Sequence, residues 1–102
     1  MSFGLPDSVI SRIQGVMASH PSVTRCIVYG SRAKGTYHDG SDIDLTLKGE
    51  IAEYERDAIE ASLEDLELPW TIDLSVYAQL DNAALVEHID RVGVVLWSRS
   101  GS

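Results

Sequence analysis

The sequence predicts an α+β domain in which helices pack on one mixed β-sheet. Apolar residues recur with helical spacing in three segments, short apolar segments of strand length lie between them, and turn residues separate the two kinds of segment. The chain of 102 residues shows neither a linker nor an internal repeat. We therefore expect a single domain over residues 1–98 and a disordered tail over residues 99–102.

The first half of the chain is expected to form a helix, a strand and a turn. The spacing of apolar residues predicts an amphipathic helix over residues 7–19, which ends at a His-Pro pair. β-Branched and aromatic residues predict a short buried strand over residues 23–29. A Gly-Ser pair at residues 30–31 then marks a turn, and residues 31–34 can form a short helix.

The second half repeats the alternation of strands and helices. Polar and apolar residues alternate over residues 42–47 and again over 70–77, which predicts two half-buried strands. Between them, residues 51–66 combine an apolar stripe with an acidic outer surface, as is typical of a surface helix. The remaining predicted elements are a helix from Asp81 or Asn82 to Gly93 and a strand over residues 94–97.

Charge and composition restrict the class of protein. The chain has 8 Lys and Arg residues against 16 Asp and Glu residues, a net charge of −8, which argues against direct nucleic-acid binding but is compatible with a basic protein partner. No segment approaches the roughly 20 apolar residues of a membrane span, and the N-terminus does not resemble a signal peptide. Because Cys26 is the single cysteine, no disulfide framework can form. We expect a cytoplasmic protein without membrane contact.

Three aspartates lie on the polar sides of the two alternating strands. Asp42 and Asp44 are separated by one residue, a spacing that places both carboxylates on the same face of a strand, and Asp73 occupies a matching position in the later strand. Carboxylate oxygens suit divalent cations, and two such cations can bind the attacking and leaving oxygens of a phosphoryl transfer. We predict that these aspartates are metal ligands and catalytic residues, with Asp73 as a hypothetical general base.

The turn at Gly30 and Ser31 precedes the aspartate pair by ten residues. Free backbone N–H groups and the Ser31 hydroxyl at such a helix start can bind a phosphate, and Gly30 permits close approach of the chain. Arg32 and Lys34 lie near enough in the chain to add phosphate contacts. Ser41 can contact phosphate or cap the turn. The predicted nucleotide-binding residues are Gly30, Ser31, Arg32 and Ser41.

The run GSRAKGTYHDGSDIDL resembles a family signature. Gly30 and Ser31, ten intervening residues, and the pair Asp42 and Asp44 are similar to the motif of the polymerase-beta-like nucleotidyltransferase superfamily. The short chain looks most like the minimal nucleotidyltransferases, or MNT domain proteins, over most of its length. The resemblance implies a polymerase-beta-like fold, ATP as substrate with two Mg²⁺ ions, metal ligation by the pair and Asp73, and triphosphate binding at the turn.

The same resemblance implies a protein partner. Many MNT proteins are encoded beside a helical HEPN protein as antitoxin and toxin, and some transfer AMP to a tyrosine of that toxin. The first interpretation is therefore AMP transfer from ATP to a hydroxyl of a HEPN toxin, with the two proteins forming a hetero-oligomer. Two alternatives remain open, namely a non-catalytic antitoxin on the same scaffold and transfer to a small molecule such as an aminoglycoside. The latter enzymes generally add an acceptor domain, for which we expect no room in 102 residues.

Overall fold

The computed structural model describes residues 2–99 and confirms the α+β prediction. Four strands form one mixed sheet in the order β3-β2-β1-β4, in which β1 is antiparallel to β2 and β4, and β2 is parallel to β3. In chain order the elements of this part of the chain are α1 (Asp7–Ala18), β1 (Arg25–Tyr29), α2 (Gly30–Lys34), β2 (Ile43–Lys48), α3 (Glu53–Glu64), β3 (Ile72–Val76), a 3-10 turn (Tyr77–Gln79), α4 (Ala83–Val92) and β4 (Val94–Ser98).

The parallel pairing of β2 and β3 follows from the helix between them. α3 crosses over the sheet and returns the chain to the end from which β2 started, which is the usual connection of parallel neighbours. α4 shows the expected start signal, since the Asn82 side chain accepts hydrogen bonds from the N–H groups of Ala84 and Leu85. No helix within residues 2–99 is long and apolar enough to cross a membrane.

The two faces of the sheet differ in what covers them. The core face lies under α1 and α3 and is apolar. It carries the buried side chains of Cys26, Val28, Leu45, Leu47, Leu74 and Val76. The opposite face, called the α4 face here, carries the alternate residues Ile27, Tyr29, Asp44, Thr46, Asp73 and Ser75. α4 packs on its β1 side, where Ile89 joins Ile27 and Tyr29 in a small apolar cluster, and leaves the polar residues of β2 and β3 outside that cluster.

Several element boundaries differ by a residue or two from the sequence-based prediction, among them the starts of α3 and β2. α3 begins at Glu53 rather than residue 51, because the chain at Ala52 is still extended and Ile51 is buried before the helix starts. The Glu55 carboxylate accepts a hydrogen bond from the Ala52 N–H at 3.1 Å, which secures this helix start. β2 begins at Ile43, one residue later than predicted.

Arg99, the first residue of the segment expected to be a disordered tail, forms hydrogen bonds to the body of the domain. Its backbone N–H donates to the carbonyl of Thr24 at 2.9 Å, and its guanidinium donates to the carbonyls of Met17, His20 and Val23. These contacts continue the pairing at the end of β4 and fasten Arg99 to the turn after α1. The rest of the predicted tail, residues 100–102, lies outside the described residues.

Candidate active site

Asp44 and Asp73 lie side by side on the α4 face. They occupy paired positions of the parallel strands β2 and β3, and neighbouring strands are only about 4.8 Å apart. The pKa of Asp44 is raised, first because the side chain is partly buried and then because the negative charges of Asp73 and Asp42 oppose its ionisation. A cation bound at this pair would relieve that repulsion.

Asp42 is less closely integrated into the site. It lies just before β2 and is exposed, although its charge contributes to the raised pKa of Asp44. Among residues 2–99, no three His, Cys, Asp or Glu side chains already form a cluster that could hold a metal ion. The structure thus brings Asp44 and Asp73 together and leaves Asp42 at the edge of the pair. Metal ligation by the three aspartates stays a prediction.

Gly30 is the point at which the predicted phosphate-binding turn meets the aspartates. Its φ of +73° is a left-handed conformation that other residues rarely adopt. A Cβ atom added to Gly30 would lie 2.3 Å from Oδ2 of Asp44, which is far inside van der Waals contact. The backbone of the turn therefore packs directly against the Asp44 carboxylate, and only glycine leaves room for that carboxylate.

The short helix after the turn is confirmed as α2, which starts one residue earlier than predicted, at Gly30. Ser31 is partly buried, and its carbonyl accepts a hydrogen bond from the N–H of Thr36 at 3.0 Å. Gly35, with a φ of +81°, ends the helix. Phosphate binding by Gly30 and Ser31 stays a prediction.

Arg32 is buried beneath the loop between α2 and β2. Its side chain is only 2% exposed, and its guanidinium donates hydrogen bonds of 2.8 to 3.2 Å to the carbonyls of Phe3, Asp39 and Ser41. The rings of Tyr37 and Trp70 lie 5.2 and 5.7 Å from the guanidinium carbon. Because these contacts occupy the guanidinium, Arg32 positions the loop between α2 and β2. Nucleotide binding by Arg32 stays a prediction.

Ser41 belongs to the same loop and shapes it. Its hydroxyl accepts a hydrogen bond from the His38 N–H at 2.7 Å, while its carbonyl accepts from Arg32. The indole N–H of Trp70 donates to the Asp39 carbonyl at 2.7 Å and links the loop to the segment before β3. The structure thus shows the turn capping expected of Ser41, and phosphate contact by Ser41 stays a prediction. Because Asp42 follows Ser41 directly in the chain, the hydrogen bonds of Ser41 and Arg32 in this loop help to fix the position of Asp42.

Two residues near the aspartates were not identified from the sequence. Tyr29 pairs with Asp44 across β1 and β2, and its pKa is raised mainly by burial, with smaller contributions from the charges of Asp73 and Asp44, whereas a hydrogen bond with Ser75 lowers it. His88 of α4 packs edge-on against the Tyr29 ring at 6.2 Å, and its charge lowers the pKa of Asp44. The sequence signal for Tyr29 was its place directly before Gly30, although it reads as the last residue of an apolar strand.

The donor atoms of this site suit a hard divalent cation. The carboxylates of Asp42, Asp44 and Asp73 form no hydrogen bond or ion pair with another side chain or backbone group in the described part of the chain. Oxygen ligands of this kind are preferred by Mg²⁺. The pKa of Asp44 is raised mainly by burial and secondarily by the charges of Asp73 and Asp42, and a bound cation would offset those charges. The chemistry of these three carboxylates therefore fits a divalent cation such as Mg²⁺.

Structural comparison finds the same fold in toxin–antitoxin complexes. One solved with AMP-PNP aligns with a TM-score of 0.72 at 20% sequence identity, covering 89% of this chain and 74% of that chain. A tri-AMPylated Shewanella oneidensis HEPN toxin in complex with MNT antitoxin aligns with a TM-score of 0.68 at 16% sequence identity. This alignment covers 91% of this chain and 72% of that chain. An MntA-HepT complex aligns with a TM-score of 0.67 at 15% sequence identity, covering 92% of this chain and 74% of that chain. At these identities the likeness establishes the fold.

Sequence comparison identifies the family. No curated protein sequence matches the chain. The model of the family described as "Polymerase beta, Nucleotidyltransferase" matches residues 11–102, which includes the turn at Gly30, the pair Asp42 and Asp44, and Asp73. The polymerase-beta-like fold expected from the GSRAKGTYHDGSDIDL run is thereby confirmed. The chain belongs to the polymerase beta nucleotidyltransferase family.

Proposed function

We propose that this chain transfers AMP from ATP to a hydroxyl of a partner protein, and that the partner is a helical HEPN-type toxin which the transfer neutralises. The observation that carries the proposal is the contact between Gly30 and Asp44, together with the register pairing of Asp44 and Asp73. This contact puts a turn suited to phosphate beside two unpaired carboxylates, which is what a metal-dependent transfer requires.

The proposed roles follow from position. Asp42, Asp44 and Asp73 would hold divalent cations, and bound Mg²⁺ supplies charge neutralisation at the phosphates. Gly30 and Ser31 would bind the triphosphate next to Asp44. Asp73 is exposed and would accept the proton of the acceptor hydroxyl. The hydroxyl oxygen then forms a bond to the α-phosphorus, the bond from that phosphorus to the bridging oxygen breaks, and pyrophosphate leaves.

Two considerations support a protein acceptor. The fold neighbours include a complex with AMP-PNP and a complex that contains an AMPylated HEPN toxin, so nucleotide and modified protein both occur with this fold. The net charge of −8 disfavours a nucleic-acid acceptor, because nonspecific nucleic-acid affinity depends on Lys and Arg side chains at the phosphates. An acidic chain instead attracts a basic protein.

Labelled ATP tests the proposal. The chain is incubated with MgCl₂ and the helical protein encoded beside its gene, and transfer of label to that protein is measured. Asp42→Asn combined with Asp44→Asn should lower the rate by about 10³-fold, since removing metal ligands costs roughly 4 kcal/mol of transition-state stabilisation. The matched control, Asp57→Asn with Asp65→Asn, changes two exposed carboxylates outside the site and should retain the rate. No transfer by wild type, or equal transfer by the Asp42 and Asp44 variant, would contradict the proposal.

One observation favours a second candidate function, a non-catalytic antitoxin that neutralises its partner by binding. It is that no three potential metal-ligating side chains are clustered within residues 2–99. This candidate is tested with Asp42→Asn, Asp44→Asn and Asp73→Asn combined. A triple variant that binds the partner and suppresses its toxicity in cells as well as wild type does would favour binding alone.

A further inference from the structure

A groove lies between α3 and the outer edge of β3. It has a volume of about 290 Å³, and its lining is apolar at the bottom and acidic at the rim. Leu63 and Leu74 are buried, Leu68 and Trp70 are partly exposed, and Glu60 and Glu64 are the acidic residues. Such a lining suits a segment that carries both apolar and basic side chains.

The groove borders a strand with one unpaired edge. β3 ends the sheet, and its inner edge pairs with β2. The carbonyl of Thr71 accepts a hydrogen bond from the N–H of Ile43. In this parallel ladder the backbone N–H and C=O groups of residues 71, 73 and 75 therefore point toward β2. Those of Ile72 and Leu74 point away from the sheet. Arg56 covers the Leu74 carbonyl with a hydrogen bond of 2.9 Å. The outward N–H and C=O of Ile72 have no partner within the described residues.

The same strand carries Asp73, which connects the edge to the active site. Asp73 points to the α4 face, whereas Ile72 and Leu74 point to the groove side. A peptide strand added to the outer edge would alternate in the same way and lie about 4.8 Å from β3. A side chain opposite Asp73 would therefore stand on the α4 face within reach of its carboxylate, while its neighbours enter the groove.

We propose that the outer edge of β3 and this groove bind the extended segment of the protein substrate that carries the acceptor hydroxyl. The segment pairs its backbone with Ile72, presents the hydroxyl beside Asp73, and directs apolar and basic side chains toward Trp70 and Glu64. The proposal rests on the proposed transfer to a protein and specifies how the acceptor reaches the site.

The charges and the sheet order both favour this location. Glu64 is exposed and forms no ion pair within residues 2–99, whereas Glu60 is paired with Arg56 at 2.6 Å, so Glu64 is the carboxylate left for a basic residue. The other edge of the sheet is β4, where Val95 is 49% exposed. β4 is separated from β3 by β2 and β1, which places it about 14 Å away and out of reach of Asp73.

The test uses the full chain and the helical protein of the transfer assay. Glu60→Lys with Glu64→Lys should raise the KM for the protein acceptor about tenfold or more, because like charges then meet at the rim, and should leave the KM for ATP unchanged. The matched control is Glu50→Lys with Glu53→Lys, which reverses two exposed charges near the start of α3. An acceptor KM equal to that of the control would overturn the docking site.

Hydrogen exchange provides the second measurement. In a complex formed without ATP, the amide of Ile72 should exchange at least about tenfold more slowly than in the free chain, since a new strand would bond to it. Unchanged exchange at Ile72 would overturn strand addition even if the charge reversal weakens binding. Failure of wild type to label any protein contradicts the proposed function itself, whereas labelling with an unaffected acceptor KM and unprotected Ile72 contradicts the docking site alone.

Discussion

The two faces of the central sheet use the same strands for opposite purposes. On β2, Leu45 and Leu47 are fully buried in the core, whereas Asp44 between Ile43 and Leu45 lies beside another carboxylate and has a raised pKa. The core face lowers the free energy of the fold by burying apolar surface, while the polar half of the α4 face raises it by holding like charges together. Along β2, side chains that stabilise the core thus alternate, one residue at a time, with side chains of the candidate site.

The largest effect is expected on the core face. Leu45→Ala should lower the free energy of unfolding by about 3 kcal/mol, because Leu45 is fully buried and a cavity would remain. Urea denaturation measures this, with Thr71→Ala, an exposed position beside β3, as the control. The AMP-transfer rate per folded molecule should stay unchanged. If Leu45→Ala kept normal stability but lost transfer, the division of the two faces between stability and transfer would be contradicted.

The next effect concerns the turn that touches the α4 face. Gly30→Ala should reduce the transfer rate about 100-fold, because the new Cβ displaces the Asp44 carboxylate. Gly35→Ala is a matched control: Gly35 also has a positive φ, of +81°, but nothing lies within 4 Å of its added Cβ. Both variants should lose about 1 kcal/mol of stability from backbone strain, and only Gly30→Ala should lose transfer. Equal loss of transfer in both variants would mean that strain, not contact with Asp44, matters at this turn.

A smaller effect is expected from the loop that leads into β2. Arg32→Lys should cost about 2 kcal/mol of stability, since lysine cannot reproduce the forked hydrogen bonds to the carbonyls of Phe3, Asp39 and Ser41. Amides of residues 36–42 should exchange faster, and those of α1 should not. The control is Arg25→Lys, an exposed arginine of β1. Unaltered loop exchange would contradict the positioning role of Arg32.

The smallest effect has the opposite sign and depends on pH. The pKa of Asp44 is raised above its ordinary value of 3.8, so the folded chain binds this proton more readily than the unfolded chain does. Wild-type stability should therefore fall relative to Asp44→Asn as pH rises from 3.8 through the folded pKa. The variant should be more stable at neutral pH by about 1 kcal/mol at most, because Asp44 is partly exposed. Urea melts at several pH values measure this, and a difference that does not change with pH would contradict the charge explanation.

The alternation of polar and apolar residues was sufficient to predict which side chains share a face. It predicted Asp44 and Asp73 on the polar side of their strands, and the elements around them, because burial of one face follows the period of the strand. It did not predict that the two strands run parallel, since element order leaves strand direction open. That pairing is a tertiary property which only the assembled sheet reveals.

Arg32 shows why the remainder was not predictable. A basic residue after a Gly-Ser turn is typical of phosphate contact, but the partners that bury Arg32 come from Phe3 and Trp70, which are distant in the chain. The place of Tyr29 beside the aspartates was not predictable for a related reason. Its hydroxyl can form a hydrogen bond with Ser75 only after β3 joins the sheet. Local patterns identify residue types, whereas these roles depend on long-range contacts.

The register of β2 and β3 has a consequence for the order in which the candidate site assembles during folding. The turn and the aspartates of β2 are adjacent in the chain and can assemble early, but Asp73 joins them only after α3 has crossed over and the parallel ladder has closed. Loop closure of this kind is a slow step of folding. A partly folded chain would therefore have the turn and the first carboxylates without Asp73, and the proposed transfer would begin only when the sheet is complete.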